Sequence, residues 1–220
     1  MLTLAQVKKN SLIIEYINQT EKALKALSYT DHGMRHSTLV SDRARNIAKK
    51  IGLSEKDQEL SAIAGFCHDM GNFLSRTNHN YLAPLLFQQV FINDFSPEEL
   101  AGIMQAIANH DKDEMNFTTA ISAILVLADK ADVHRSRVTV TKMEDITTDI
   151  HDRVNYATQE SKLAVDESKK RIILTLKIDT KFVPIIEYFE IFTERMVFCR
   201  KAAEFLGYKF GLVINKFELL

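Results

Sequence analysis

The chain has 220 residues, 46% of them apolar and 26% charged, with 28 Lys and Arg against 29 Asp and Glu for a net charge of −1. Those proportions exclude a disordered or collagen-like chain and leave ample sequence for one hydrophobic core. The charge balance excludes a protein that coats nucleic acid through a strongly basic face.

In chain order, residues 4–27 place Leu4, Val7, Ile13, Ile17, Leu24 and Leu27 on a helical period and predict one helix. In residues 36–51, Val40, Ala44, Ile47 and Ile51 recur at steps of three and four, and Gly52 stops that helix. Ser54 and Asp57 predict the cap of the next, which carries Leu60, Ile63, Ala64 and Cys67 and ends near Gly71. After the polar break SRTNHN, Pro84 is expected in the first turn of another helix, where its missing N–H costs nothing. Ser96-Pro97-Glu98-Glu99 reads as a capping box with proline at the first helical position, opening a helix to about Asn109. A helix rich in Ala, Ile and Leu covers about 119–133.

Beyond residue 135 the pattern changes. Strands are predicted near 161–165 and 171–178, a helix over about 182–206 ended by Gly207, and a last strand in YKFGLVINKF. The expectation is a mainly α protein: a helical body over 1–135 and an α+β extension over 136–220 packed on it. Cys67 and Cys199 sit among apolar neighbours, so no disulfide framework is expected, and a reducing, cytoplasmic setting fits. No signal peptide is read in MLTLAQVKKNSLIIEYI, and apolar stretches such as 121–128 are too short to span a bilayer.

The chemistry-bearing residues stand out against this plain background. His36 lies on the apolar face of its helix, with Val40 and Ala44. His68 and Asp69 end a second apolar helix in AGFCHDMGN, and Asp129 follows the apolar run 124–128. A carboxylate at such a place is costly unless paired or bound to a cation. Imidazole with carboxylate suits Mn, Fe, Co, Ni or Zn, and suits Mg less well. The alternatives are a buried histidine bonded to a backbone carbonyl and a His–Asp pair without metal. Gly-rich phosphate loops, Cys-x-x-Cys pairs and G-x-S-x-G elbows do not occur.

The order His36, His68-Asp69, Asp129, within HGMRHSTLVSDRARNIA, AGFCHDMGN and LADKAD, resembles the HD superfamily of metal-dependent phosphohydrolases over about residues 30–135. With His79 in NHNYLAPLLF and His110 in IMQAIANHD, it resembles the six-ligand pattern of HD proteins that hold two metals. Enzymes that split dinucleoside tetraphosphates and some phosphodiesterases share that pattern. The resemblance implies an HD-type helical bundle. It implies one or two divalent transition-metal ions on His36, His68, Asp69, His79, His110 and Asp129. It also implies hydrolysis of a phosphate ester or anhydride, with a nucleotide or dinucleotide as the expected substrate, by a metal-activated water attacking phosphorus.

Asp69, His110 and Lys130 are the expected catalytic residues, and Arg76, Lys130, Arg135 and Arg137 the candidate phosphate contacts. Asp132 is either a partner that orients a ligand or a surface charge, His32 can likewise support a ligand, and His134 and His151 read as surface residues. Asn72 stands where HD guanosine-tetraphosphate hydrolases and 5′-nucleotidases have Glu and cyclic-dinucleotide enzymes have Lys, so those substrates lose support. A second reading is a nucleotide- or metal-sensing or interaction protein without turnover, whose C-terminal unit can supply the edge of a homodimer. Neither bulk nucleic-acid binding nor a membrane partner is expected.

Overall fold

A computed structural model describes residues 2–112 and 114–219. Among them the chain forms ten α-helices and one small sheet, a mainly α fold with a C-terminal α+β appendage. The helices are α1 (Leu4–Val7), α2 (Ser11–Ala26), α3 (Met34–Lys50), α4 (Glu55–Cys67), α5 (His79–Phe91), α6 (Pro97–Asn109), α7 (Ala120–Lys130), α8 (Met143–Thr148), α9 (Ile150–Ala157) and α10 (Ile185–Phe205). No described helix is long and apolar enough to cross a membrane.

The body is built around α7, whose residues from Ile121 to Lys130 are all buried. It packs against α3, α4, α6 and α10. Gly52, at φ 83°, closes α3, and the Ser54 hydroxyl accepts from the Asp57 amide to open α4, as the sequence predicts. The two helices then run side by side with little room: a Cβ on Gly65 would lie 3.0 Å from the Ser41 backbone. That close approach brings the start of α3 and the end of α4 to one place. The capping box of Ser96 and Glu99 opens α6 as expected.

The sheet has strand order β1 (Thr158–Asp166), β2 (Arg171–Ile178), β3 (Lys209–Ile214), β4 (Phe217–Glu218). β1 and β2 form an antiparallel hairpin, whereas β2 and β3 are parallel, joined through α10. Ile172, Leu174 and Leu176 pair with Phe210, Leu212 and Ile214, and all six are buried on one face. One continuous apolar cluster runs from Leu4 to Ile214. Cys67 and Cys199 are buried, free thiols within it.

Four local expectations need correction. The helix expected over 4–27 is two helices, because the Asn10 side chain accepts from the amides of Leu12 and Ile13 and starts α2 anew. Pro84 lies in the second turn of α5, because Tyr81 and Leu82 already bond the Asn78 carbonyl and the helix starts at His79. The helix expected to reach residue 133 stops at Lys130. Residues 143–157 form α8 and α9, two short helices left unassigned from the sequence; the Asp149 carboxylate caps α9.

Candidate metal centre

His68 and His110 cap the C-terminal ends of α4 and α6, and His79 is the first residue of α5. All three use one device. Each Nδ1 bonds the carbonyl three residues earlier: His68 to Gly65 at 2.9 Å, His79 to Arg76 at 2.7 Å, His110 to Ile107 at 2.6 Å. The bond from His68 also engages a carbonyl in the last turn of α4, where helix ends leave acceptors open. The fourth ring, His36 on α3, bonds Asp132 Oδ2 through Nδ1 at 2.7 Å. A carbonyl or carboxylate can only accept, so each Nδ1 carries the hydrogen and each Nε2 presents its lone pair inwards.

The four Nε2 atoms converge on Asp69, which follows α4. Oδ2 of Asp69 lies 3.4 Å from His36 Nε2 and 3.2 Å from His68 Nε2. Oδ1 lies 3.3 Å from His79 Nε2 and 3.6 Å from His110 Nε2. Asp129 Oδ1 joins the first group, 3.3 Å from His36 and 3.7 Å from His68. The carboxylate of Asp69 therefore divides the cluster into two groups and belongs to both. The same residues form the sets of mutually close donors among the described residues: His36, His68, Asp69; His68, His110, Asp129; and Asp69, His79, His110.

This donor set fits divalent cations on three grounds. First, the facing imidazole nitrogens lie 3.2 Å apart for His36 and His68 and 3.1 Å apart for His79 and His110. With both rings neutral, lone pair meets lone pair, an arrangement that a cation between them relieves. Second, ligand atoms bonded at about 2.1 Å lie about 3.0 Å apart in octahedral and about 3.4 Å in tetrahedral coordination, and the separations here run from 3.1 to 3.7 Å. Third, Asp69 is 3% exposed and has no Lys or Arg within ion-pair distance among the described residues. A buried carboxylate without a cationic partner is expensive.

The electrostatics agree. Burial acts to lower the pKa of His68, but Asp69 and Asp129 outweigh it and push it up to about 10. That upward push marks a place that favours positive charge, which a proton or a cation on Nε2 can supply. Burial acts to raise the carboxyl of Asp69, yet His68 and the other rings hold it well below the usual carboxylate range. His110 is pushed down by burial. Lys130 is held protonated by Asp129 and Asp111 against its burial.

All six expected ligands are brought together, and Asp132 proves to be the partner that orients His36. It is held in turn by Arg35 at 2.8 Å. His32 is buried beside the cluster, bonded to the Thr30 carbonyl and to Arg137. Of the expected phosphate contacts, Arg76 reaches the cluster, donating to Asn72 Oδ1 at 2.9 Å. Lys130 reaches it too, but its ammonium is committed to Asp111 at 2.7 Å and Asp129 at 3.1 Å. Arg137 lines the cluster, with its guanidinium bonded to the carbonyls of Asp31 and Asp132. Arg135 does not reach the site: it is exposed and lies over the Tyr156 ring. His151 is exposed, whereas His134 is half-buried and bonds the Gln159 carbonyl.

Two residues at the site escape the sequence reading. Asp111 lies 3.6 Å from His79 Nε2 and ties down Lys130; the His110-Asp111 doublet, a repeat of His68-Asp69, is its signal. Arg195, from α10, lines the recess over the cluster, and its signal is a charge on an otherwise apolar helix face.

That recess, about 20 Å³, has room for a water or an ion. Through His32, Arg76, Arg137 and Arg195 it adjoins a cavity of about 790 Å³ lined by Tyr29, Phe192 and residues of α8 and α9. No curated protein matches the chain. Residues 33–137 match the family model of the HD domain, a span that contains all six cluster residues. The match identifies an HD domain over that span, a domain whose proteins are generally metal-dependent phosphohydrolases.

Proposed function

We propose that this chain is a metal-dependent phosphohydrolase that works with two divalent ions and acts on a small phosphorylated substrate of the nucleotide class. One observation carries the reading: the two oxygens of Asp69 face different histidine pairs, each oxygen within 3.6 Å of two Nε2 atoms. His36, His68 and Asp129 would hold one ion with Asp69, and His79 and His110 the other. Bound there, divalent cations lower the pKa of water and neutralise charge on phosphoryl oxygens.

The chain's own groups do the rest. Asp132 and the three backbone carbonyls fix the rings, so the ligand atoms are preorganised. Lys130 holds Asp129 and Asp111 in place across the recess. Arg76, at the mouth, donates to Asn72 through Nη1 and offers its remaining donors to a phosphoryl group. Its guanidinium also lies 5.8 Å from the Tyr29 ring, and this aromatic surface supports a nucleobase as the neighbouring moiety.

The test is a screen of phosphomonoesters, phosphodiesters and nucleotides with added Mn, run beside His68→Ala and Asp69→Ala. Metal-dependent turnover by the native chain and its loss in both variants is the expected result. No substrate turned over by the native chain, or equal turnover in the variants, sinks the reading.

A further inference from the structure

Helix α10 lies outside the matched span, yet it delivers a charge to the site. Its buried face carries Tyr188, Phe192, Met196 and Cys199, and Arg195 stands among them. The Arg195 guanidinium lies over the Phe192 ring at 4.9 Å. Among the described residues it has no hydrogen-bond or ion-pair partner. It lines both the recess over the cluster and the large cavity.

The neighbouring charges show what this arginine is free to do. Arg137 is spent on carbonyls, and Arg76 is spent in part on Asn72. Arg195 keeps all five donors open. Burial first, and then repulsion from Arg137, disfavour its charged form, while Asp129 and Asp111 attract it from beyond hydrogen-bond range. Arg195 is half-buried, and a partly desolvated guanidinium without a protein partner carries a cost that an anion docking on it removes. A phosphoryl group over the cluster would already be met by the cations there, so Arg195 is charge in excess of that need. Farther along the cavity lie Asp145, Asp149 and Asp152, none of which lines the recess. These carboxylates repel anions and confine negative charge to the arginine end.

We propose that Arg195 binds a second phosphoryl group, adjacent to the one over the cluster, so that the substrate is a phosphoanhydride whose remainder extends into the cavity. The proposal rests on the phosphohydrolase reading of the cluster. In the hydrolysis, the water oxygen bonds to one phosphorus and the bridging P–O bond breaks. Its electron pair stays on the departing phosphoryl oxygen, and the protons of the water pass to the products or to solvent. Arg195, with a planar fork of N–H donors, holds the departing group as it gains charge.

The experiment titrates metal-loaded protein with methylenediphosphonate and, separately, with inorganic phosphate, in a fixed excess of Mg²⁺ so that neither anion strips the site. The native chain is expected to prefer the diphosphonate by about tenfold or more, the size of a charge-assisted hydrogen bond. Arg195→Met is expected to lose that preference with phosphate affinity and bound-metal content unchanged, and Arg195→Lys to restore part of it. An undiminished preference in Arg195→Met, equal affinities in the native chain, or a fall in metal content in the variant would overturn the proposal. Binding is read without turnover. A chain that holds the diphosphonate through Arg195 and hydrolyses nothing refutes the hydrolase reading and leaves the anion site standing.

Discussion

Asp132 Oδ2 accepts from His36 Nδ1 at 2.7 Å, and that bond turns His36 Nε2 towards Asp69 and Asp129. Asp132 touches no other ring of the cluster, so its effect on metal passes through His36. Asp132→Asn is expected to weaken metal binding by about 10- to 100-fold with all six ligands intact. Metal titration of the variant checks this, and unchanged affinity would show that the ring needs no such support.

Gly71 governs the second group of ligands from a distance. A Cβ there would lie 2.7 Å from both the His79 carbonyl oxygen and the Ala83 amide nitrogen, backbone atoms of α5 that cannot swing aside. Gly71→Ala is expected to cost about 1–3 kcal/mol by overpacking and to displace His79, so that one of the two ions is held less tightly. Thermal unfolding and metal content measured together separate the two effects. A variant of native stability that retains all its metal would contradict the contact.

Asp152, on α9, gives the stability a pH dependence. It is buried, its Oδ1 atom has no hydrogen-bond partner, and burial with the nearby Asp149 pushes its pKa up to about 6. The folded chain therefore holds a proton that the unfolded chain has already released. Stability from this group is full below the ordinary aspartate pKa and is lost as pH rises through about 6. Asp152→Asn is expected to flatten that decline and to be the more stable form above it. Denaturant unfolding at several pH values reads the slope; parallel curves for the two proteins would refute the assignment.

Much of the site is legible in the sequence because His68, Asp69, His110 and Asp129 sit where apolar helices end, and periodicity locates such ends well. His68 is the clearest case, closing the run 60–67, which proves to be buried throughout, and His110 closes a helix whose Ile103, Ala106 and Ile107 are buried. Asp111 is less legible, since its role depends on Lys130 folding back from α7, a contact between residues 19 apart. Arg195 is illegible by motif: it reaches the cluster only because α10 packs on α7, and no local pattern encodes that. Arg135 errs in the other direction, lying close in sequence to Asp129 while the backbone turns its side chain onto Tyr156. The break at Asn10 and the start of α9 at Asp149 depend on side-chain caps, which apolar periodicity does not register.

The central claim is that Asp69 is shared by two cation sites, and metal content per chain tests it most directly. Elemental analysis of the loaded, desalted protein is expected to give two ions for the native chain, one for His110→Ala and fewer than one for Asp69→Ala. One ion in the native chain, unchanged in His110→Ala, would contradict the claim.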